Sequence, residues 1–599
     1  MSHKCSMKHR SERLRIHSYD NRSGFAFYAV PFAESTEGPR RFALPEPRKP
    51  WSEIRDATEN GKACPVDPRM TWKEHDWNRF DEDCLHNYIF TSRRCLMEGG
   101  CAVFYEVHGG IFDFLTPIKY AINVDAIIHN FASDGQDIVV VVTAYRLASF
   151  GFLNLAPGRR DLSTDSNVAL HDILMSMKWV QREIAVFGGD PKRVTISGVS
   201  SGSMLAELFT VSPSFNSLYS QLACRSGTYS STTAPIETNV LTSWLTAELL
   251  GCADVNTNRV ETESVERVVE CMRKKTWQEI VRARIALNDH PEPLFRPHTD
   301  GEGGLFPDIF PEMAKKRLAV PTLIGATTHE SLMTRYALDA NRKLGDCVWS
   351  TMHRVYVYSF DYRGKPISTV NYKPWEHPTH GDDLNYIFDL ARGNFSEKDY
   401  AVEKIYSGIF LHFIKTGYPN PGKGQRPWNK FTTSNHEYYL IDFADSSNLM
   451  PGNRQLFQRE PVEFWLKTVA EAAGAVRPLT EFPRYFDHYL AEEMTKVFEQ
   501  HYTKVVGRYN KALGTNEEAY NAWIEYINGR RFKHLNGIKN FRQFVSGINE
   551  LPDSNPETTN NILIGILEVM TIALIIFLLL RCLIATAGEW QKKKAYQPH

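Results

Sequence analysis

Residues 187–202 read FGGDPKRVTISGVSSG, and the residues that follow, MLAELF from Met204 to Phe209, are apolar and compatible with a helix. VTIS at 194–197 is strand-like. Between strand and helix lies Gly198-Val199-Ser200-Ser201-Gly202, a G-x-S-x-G match in the strand–turn–helix setting that exposes a serine as a nucleophile. The glycines permit a turn too tight for larger side chains. A bare match of this kind means little, because a serine in a glycine-rich turn is structural by default; the flanking strand and helix are what give Ser200 weight.

Outward from this turn, residues from about 22 to 470 alternate apolar strand-like runs with amphipathic stretches. IVVVVT at 138–143, VTIS at 194–197 and LAVPTLI at 318–324 each stand near a helical pattern such as Leu170 to Phe187. That alternation predicts an α/β domain with a mostly parallel central sheet flanked by helices. A chain of 599 residues with 42% apolar and 12% aromatic content has enough apolar material for a large core. Its 69 basic and 70 acidic residues nearly cancel, so no global field favours nucleic acid, and none is expected as a partner.

The two ends differ from the middle. Residues 471–555 are charged and helical in pattern, as in HYLAEEMTKVFEQHYTKVV, and are expected to form a juxtamembrane extension. Residues 562–580, ILIGILEVMTIALIIFLLL, carry only Glu568 as a charge. As a helix this stretch reaches about 28 Å, close to the hydrocarbon thickness of a bilayer, and it is expected to be one transmembrane helix. Arg581 and Lys592-Lys593-Lys594 follow it, whereas Glu550, Asp553 and Glu557 precede it. The positive-inside rule then puts the short basic tail, 581–599, in the cytosol and the bulk of the chain in a lumen or outside the cell. The first twenty residues are basic and polar, with no apolar stretch that reads as a signal peptide. Asn21-Arg22-Ser23 and Asn394-Phe395-Ser396 are glycosylation sequons. Ten cysteines are too few for a dense disulfide scaffold and none has zinc-like spacing, so neither a metal nor another cofactor is expected.

The segment 187–202 closely resembles the nucleophile turn of the type-B carboxylesterase and cholinesterase family, whose members have the α/β-hydrolase fold. Further landmarks carry the resemblance: RRFALPEPRKPW at 40–51, EDCL around Cys84, HGGIF at 108–112, AYRLASFGFL at 144–153, KWVQREIAVFGGDP at 178–191, PTLIGATTHES at 321–331 and HPTHGDDLNYIF at 377–388. They follow the family's order across roughly residues 25–465. The resemblance implies a catalytic triad of Ser200 as nucleophile, His380 as base and later acid, and Glu330 as the carboxylate that orients the imidazole. All three fall in the order Ser…Glu…His expected of the fold. Without the resemblance, Glu330 would read as a surface carboxylate and His380 as a loop histidine.

The same resemblance assigns the oxyanion hole to the backbone N–H groups of Gly110, Ile111 and Ser201. Ile111 stands where the family has glycine, and its β-branched side chain resists a positive φ. Val199 replaces a family glutamate beside the nucleophile, which disfavours a choline ester. Glu330 and His380 are 50 positions apart, far fewer than the family's usual spacing. Cys64 with Cys84 and Cys252 with Cys271 match the family's first two disulfides. Cys95, Cys101, Cys224 and Cys347 match no family partner and are expected to be buried thiols. Arg41 and Glu82 match a structural ion pair.

The activity this implies is hydrolysis of a small-molecule carboxylic ester through an acyl-serine, without a cofactor. Acyl transfer to an alcohol or amine is the alternative within the enzyme class, since an acyl-enzyme reacts with whichever nucleophile reaches it; some nematode relatives work that way. The alternative from another class is a neuroligin-like adhesion protein, which shares the fold and a single span but typically lacks the nucleophile that this chain has.

Overall fold

The run Ile138–Thr143 is buried at every position and forms one strand of an eleven-stranded sheet. A strand with no polar face has to be covered on both sides, the usual setting of a parallel sheet between helical layers. The computed structural model describes residues 15–455 apart from interior stretches, the longest being 329–354 and 365–377. In chain order the strands are β1 (Arg15–Tyr19), β2 (Arg22–Pro31), β3 (His86–Thr91), β4 (Cys101–Val107), β5 (Ile138–Thr143), β6 (Gly189–Val199), β7 (Gln221–Arg225), β8 (Thr322–Thr327), β9 (Val355–Phe360), β10 (Tyr438–Ile441) and β11 (Gly452–Arg454). Their spatial order is β1-β2-β3-β5-β4-β6-β7-β8-β9-β10-β11. From β5 across to β10 every neighbouring pair is parallel, and the outer pairs are antiparallel. The expected α/β architecture with a mostly parallel sheet is therefore present.

One boundary differs from the sequence reading. The run LAVPTLI was expected to be strand from Leu318, but β8 begins only at Thr322. Pro321 has no N–H to give to the ladder. Its carbonyl still accepts from Leu222 N–H at 3.0 Å, while Leu318 N–H turns away to Thr210 O at 2.8 Å.

Three helices fix the elements that matter for the site. Helix α1 (Val168–Glu183) passes into a short 3-10 turn, Ile184–Phe187, and stops at Gly188, whose φ is +88°. Helix α2 (Ser201–Leu208) follows β6 directly. Helix α3 (Glu397–Thr416) starts at a capping box in which Ser396 and Asp399 satisfy each other's backbone N–H, and ends at Gly417 in the left-handed region. On its inner face Val402, Tyr406, Ile409, Phe410, Phe413 and Ile414 join Phe104, Phe131, Tyr358, Phe360 and Phe388 in the core on one side of the sheet.

Three disulfides are formed among the described residues. Cys64–Cys84 and Cys252–Cys271 are the two that the resemblance implied. The third, Cys95–Cys101, corrects the expectation that both were thiols. A short helix, Arg93–Glu98, is followed by Gly99 and Gly100, both with positive φ, and this reversal brings the start of β4 back beneath Cys95. Cys224 remains a buried thiol. Cys347 and the candidate transmembrane and juxtamembrane segments, 562–580 and 471–555, lie outside the described residues. Among the described residues no helix is long and apolar enough to cross a membrane. Arg41 and Glu82 do form the expected ion pair: Arg41 Nε donates to Glu82 Oε1 at 2.7 Å, and Nη1 reaches the Arg273 carbonyl at 3.0 Å at the end of helix Thr262–Arg273.

Buried histidines make the fold acid-sensitive. His86, at the start of β3, has its pKa lowered from 6.5 to about 4 by burial first and by the Arg55 and Arg48 charges second, against a smaller opposing effect of Asp81. Between pH 6.5 and 4 the unfolded chain takes up a proton there that the folded chain refuses. Stability present above pH 6.5 is lost as pH falls, by up to about 1.4 kcal/mol per pH unit for one such group, and the loss levels off below pH 4. Glu248, pushed up to about 7 by burial, acts with the opposite sign, because above pH 4.5 the folded chain keeps a proton the unfolded chain gives up. A comparison of urea midpoints at pH 7 and 4.5 isolates the histidine: His86→Gln is expected to narrow the wild-type difference. An equal difference in both proteins would refute the assignment.

Candidate active site

Ser200 stands where β6 ends and α2 begins, with φ 56° and ψ −128°, a conformation that L residues rarely adopt. The surrounding packing explains why the turn has glycines on either side. A Cβ on Gly198 would lie 2.3 Å from the carbonyl carbon and oxygen of Gly202, and one on Gly202 would lie 2.1 Å from Val107 O. The turn is tied down by two backbone hydrogen bonds: Ser200 N–H donates to Arg225 O at 2.9 Å, and Ser200 O accepts from Met204 N–H at 3.1 Å. Ser200 is half-buried.

The HGGIF segment after β4 abuts this serine. A Cβ on Gly109 would meet Val199 O at 2.7 Å and Ser200 Cβ at 3.1 Å. Gly110 O then accepts from both Asp113 N–H and Phe114 N–H, closing a tight turn in which Gly110, Ile111 and Phe112 have φ of 110°, 57° and 63°. Ile111 thus takes up the left-handed conformation that its side chain opposes, at about 1–2 kcal/mol. Its neighbours hold it there. Phe112 N–H donates to Ser201 Oγ at 3.3 Å, and Phe112 O accepts from Ala148 N–H at 2.8 Å. The short helix that starts at Ala148 is anchored in turn by Arg146, whose Nε and Nη2 grip Asp172 of α1 at 2.9 and 2.7 Å. The backbone N–H groups of Gly110, Ile111 and Ser201, the three expected oxyanion donors, have no acceptor among the described residues.

His108 belongs to the scaffold rather than the chemistry. Its ring is buried, stacks on Tyr145 at 4.5 Å and makes a 2.8 Å contact from Nδ1 to Gly109 O, while Tyr145 OH donates to His108 O at 2.8 Å. Burial lowers its pKa to about 4, which keeps the ring neutral.

His380 lies half-buried in the turn before a 3-10 helix, Asp382–Tyr386. Asp382 Oδ2 accepts from Thr379 N–H at 2.7 Å, and Gly381 is in the left-handed region with φ +83°. The segment's far end is deeply fixed: Ile387 and Phe388 enter the core, and Ile387 O accepts from Asn130 Nδ2 at 3.1 Å. Glu330 falls outside the described residues, three positions beyond the end of β8. Ser200 therefore stands at the carboxyl end of the parallel strand β6, where open α/β sheets bind ligands, while along the chain Glu330 comes after β8 and His380 after β9.

Sequence reasoning overlooked two buried charges next to this turn, Glu106 on β4 and Arg225 on β7, which pair with each other. Their signal was a single charge inside each of the apolar runs CAVFYEV and QLACR.

The model of the Carboxylesterase family matches residues 14–352 and 345–465. The chain belongs to that family. Carboxylic-ester hydrolysis by a serine hydrolase is accordingly its class of activity. Similar proteins include the pyrethroid hydrolase Ces2e of Rattus norvegicus, 25% identical over 76% of this chain and 88% of the relative. The cocaine esterase of Homo sapiens is 25% identical over 74% of this chain and 87% of its own length. The acetylcholinesterase of Bungarus fasciatus is 24% identical over 81% and 89%. Against this carboxylesterase background the replacement of glutamate by Val199 is a buried apolar contact beside the nucleophile, with 4% of its surface exposed.

Proposed function

We propose that this carboxylesterase-family chain cleaves small-molecule carboxylic esters by transferring the acyl group to Ser200 Oγ and then to water. The observation that carries the reading is the strained Ser200 turn set against three backbone N–H groups, on Gly110, Ile111 and Ser201, that have no acceptor among the described residues. In the reaction His380 takes the Ser200 proton as Oγ attacks the ester carbonyl. The carbonyl oxygen becomes an oxyanion held by those N–H groups. Collapse of the tetrahedral intermediate breaks the bond to the alkoxy oxygen, which leaves with the proton from His380. Water, deprotonated by His380, then attacks the acyl-serine and regenerates Ser200. Glu330 orients the imidazole and stabilises its charged form. The chemistry calls for no metal or organic cofactor.

We place this site on the lumenal or extracellular side of a membrane, with 562–580 as the span. Support comes from the disulfides, which persist in oxidising compartments, and from the basic residues that follow position 580. One experiment tests both statements: sealed microsomes carrying the full chain are treated with a charged, membrane-impermeant fluorophosphonate. Labelling that requires detergent and disappears in Ser200→Ala is expected. Labelling without detergent would overturn the orientation, and no labelling of the folded wild-type chain would overturn the nucleophile.

A further inference from the structure

Glu106 and Arg225 are charges in the middle of the sheet, and both are buried, at 1% and 0% exposure. Arg225 Nη2 pairs with Glu106 Oε1, while Arg225 Nε approaches Gly198 O at 3.5 Å. The guanidinium carbon lies 4.8 Å from the centre of the Phe388 ring and 5.6 Å from that of Phe410. Four parts of the fold thus meet at one rigid planar group: β4 through Glu106, the end of β6 through Gly198, the His380 segment through Phe388, and α3 through Phe410. The backbone of the same residue makes a fifth contact, since Arg225 O accepts the Ser200 N–H.

Stability alone gives no reason for such an arrangement. Burial raises the Glu106 pKa in opposition to Arg225, and Arg225 Nη1 has no hydrogen-bond partner among the described residues. Buried pairs of this kind are often matched or bettered in stability by apolar side chains of similar volume. What apolar side chains do not reproduce is direction, because a guanidinium fixed by a carboxylate sets the distances between everything it touches.

We infer that Arg225, held by Glu106, is a positioning residue that sets the separation between the Ser200 turn and the segment carrying His380. The inference rests on the proposed roles of Ser200 and His380. It touches neither substrate nor reacting atoms, so its effect falls on the rate of acylation and not on binding. A shift of the order of 1 Å between nucleophile and base costs roughly 10²-fold in rate.

The test compares the full-length wild type with a Glu106→Leu/Arg225→Met double variant, which removes both charges and leaves neither buried alone. Wild-type labelling by fluorophosphonate, lost in Ser200→Ala, first secures the nucleophile independently; without it the underlying reading fails, whatever the pair does. Given that labelling, the double variant is expected to keep its Tm and a KM within about twofold, while kcat and the labelling rate both fall roughly 10- to 100-fold. Wild-type kcat and labelling rate in a folded double variant would overturn the inference. Arg225→Lys supplies the second measurement should the double variant not fold. It keeps the charge pair but loses the planar stack on Phe388, and is expected to fold normally with kcat reduced at unchanged KM. Wild-type kcat in Arg225→Lys would equally overturn the positioning role.

Discussion

Alanine at Ser200 is expected to lower kcat toward an activated ester by about 10⁴- to 10⁶-fold, and alanine at His380 to lower it by a similar factor. The hydroxyl is a poor nucleophile until a base takes its proton, and the base has nothing to do without the hydroxyl. The two losses are therefore not additive: Ser200→Ala/His380→Ala should be no slower than either single variant. Glu330→Gln should cost up to about 10⁴-fold, because an amide in its place favours the wrong imidazole tautomer. A residual rate above the uncatalysed reaction should survive in all of them, since the N–H groups of Gly110, Ile111 and Ser201 are backbone and none is removed. The rate of ester hydrolysis at saturating substrate, measured for each variant, separates these outcomes. If the double variant multiplied the single losses, His380 and Ser200 would be acting independently and the triad would be wrong.

The parts of this site that the sequence revealed are those set by local geometry. The G-x-S-x-G turn announces itself because its glycines answer contacts with residues a few positions away or on the adjoining strand, as the crowding at Gly198 and Gly202 demonstrates. The central strands were legible because IVVVVT has no polar face to expose. Ile111 was read as an obstacle to the oxyanion turn, and its conformation is indeed strained. The compensation could not be read, because it comes from Ser201 Oγ, which accepts the Phe112 N–H across 89 residues of chain. The Glu106–Arg225 pair spans 119 residues and depends on the order of strands β4, β6 and β7. No pattern within one segment encodes that adjacency. The Cys95–Cys101 bridge was missed for a more local reason: the separation of six looks like two isolated thiols until Gly99 and Gly100 reverse the chain.

Gly202→Ala tests whether the turn is as tightly packed as it looks, and helix propensity and packing give opposite signs. Gly202 lies in the first turn of α2, where alanine would ordinarily stabilise a helix by about 1 kcal/mol relative to glycine. Here the added Cβ would sit 2.1 Å from Val107 O, 2.6 Å from His108 O and 2.8 Å from His108 C. All three atoms are backbone, on or just beyond β4, which is locked between β5 and β6 by parallel ladders and has no side chain to swing aside. The strain has to be relieved by α2 moving away from β4. That motion carries Ser200 and the Ser201 N–H with it, away from Gly110 and Ile111. Overpacking of this sort costs about 1–3 kcal/mol and outweighs the propensity gain. Displacement of one oxyanion donor costs about 10²- to 10³-fold in kcat. Gly99→Ala serves as the control, since its φ is +73° but nothing lies within 4 Å of its Cβ. With ψ at −174° this is a conformation essentially reserved for glycine, so the variant should lose about 1–3 kcal/mol of stability with kcat intact. Thermal unfolding and kcat measured on both variants decide the matter: a Gly202→Ala protein with unchanged kcat would mean that the close contact of β4 with α2 does not set the proposed oxyanion geometry.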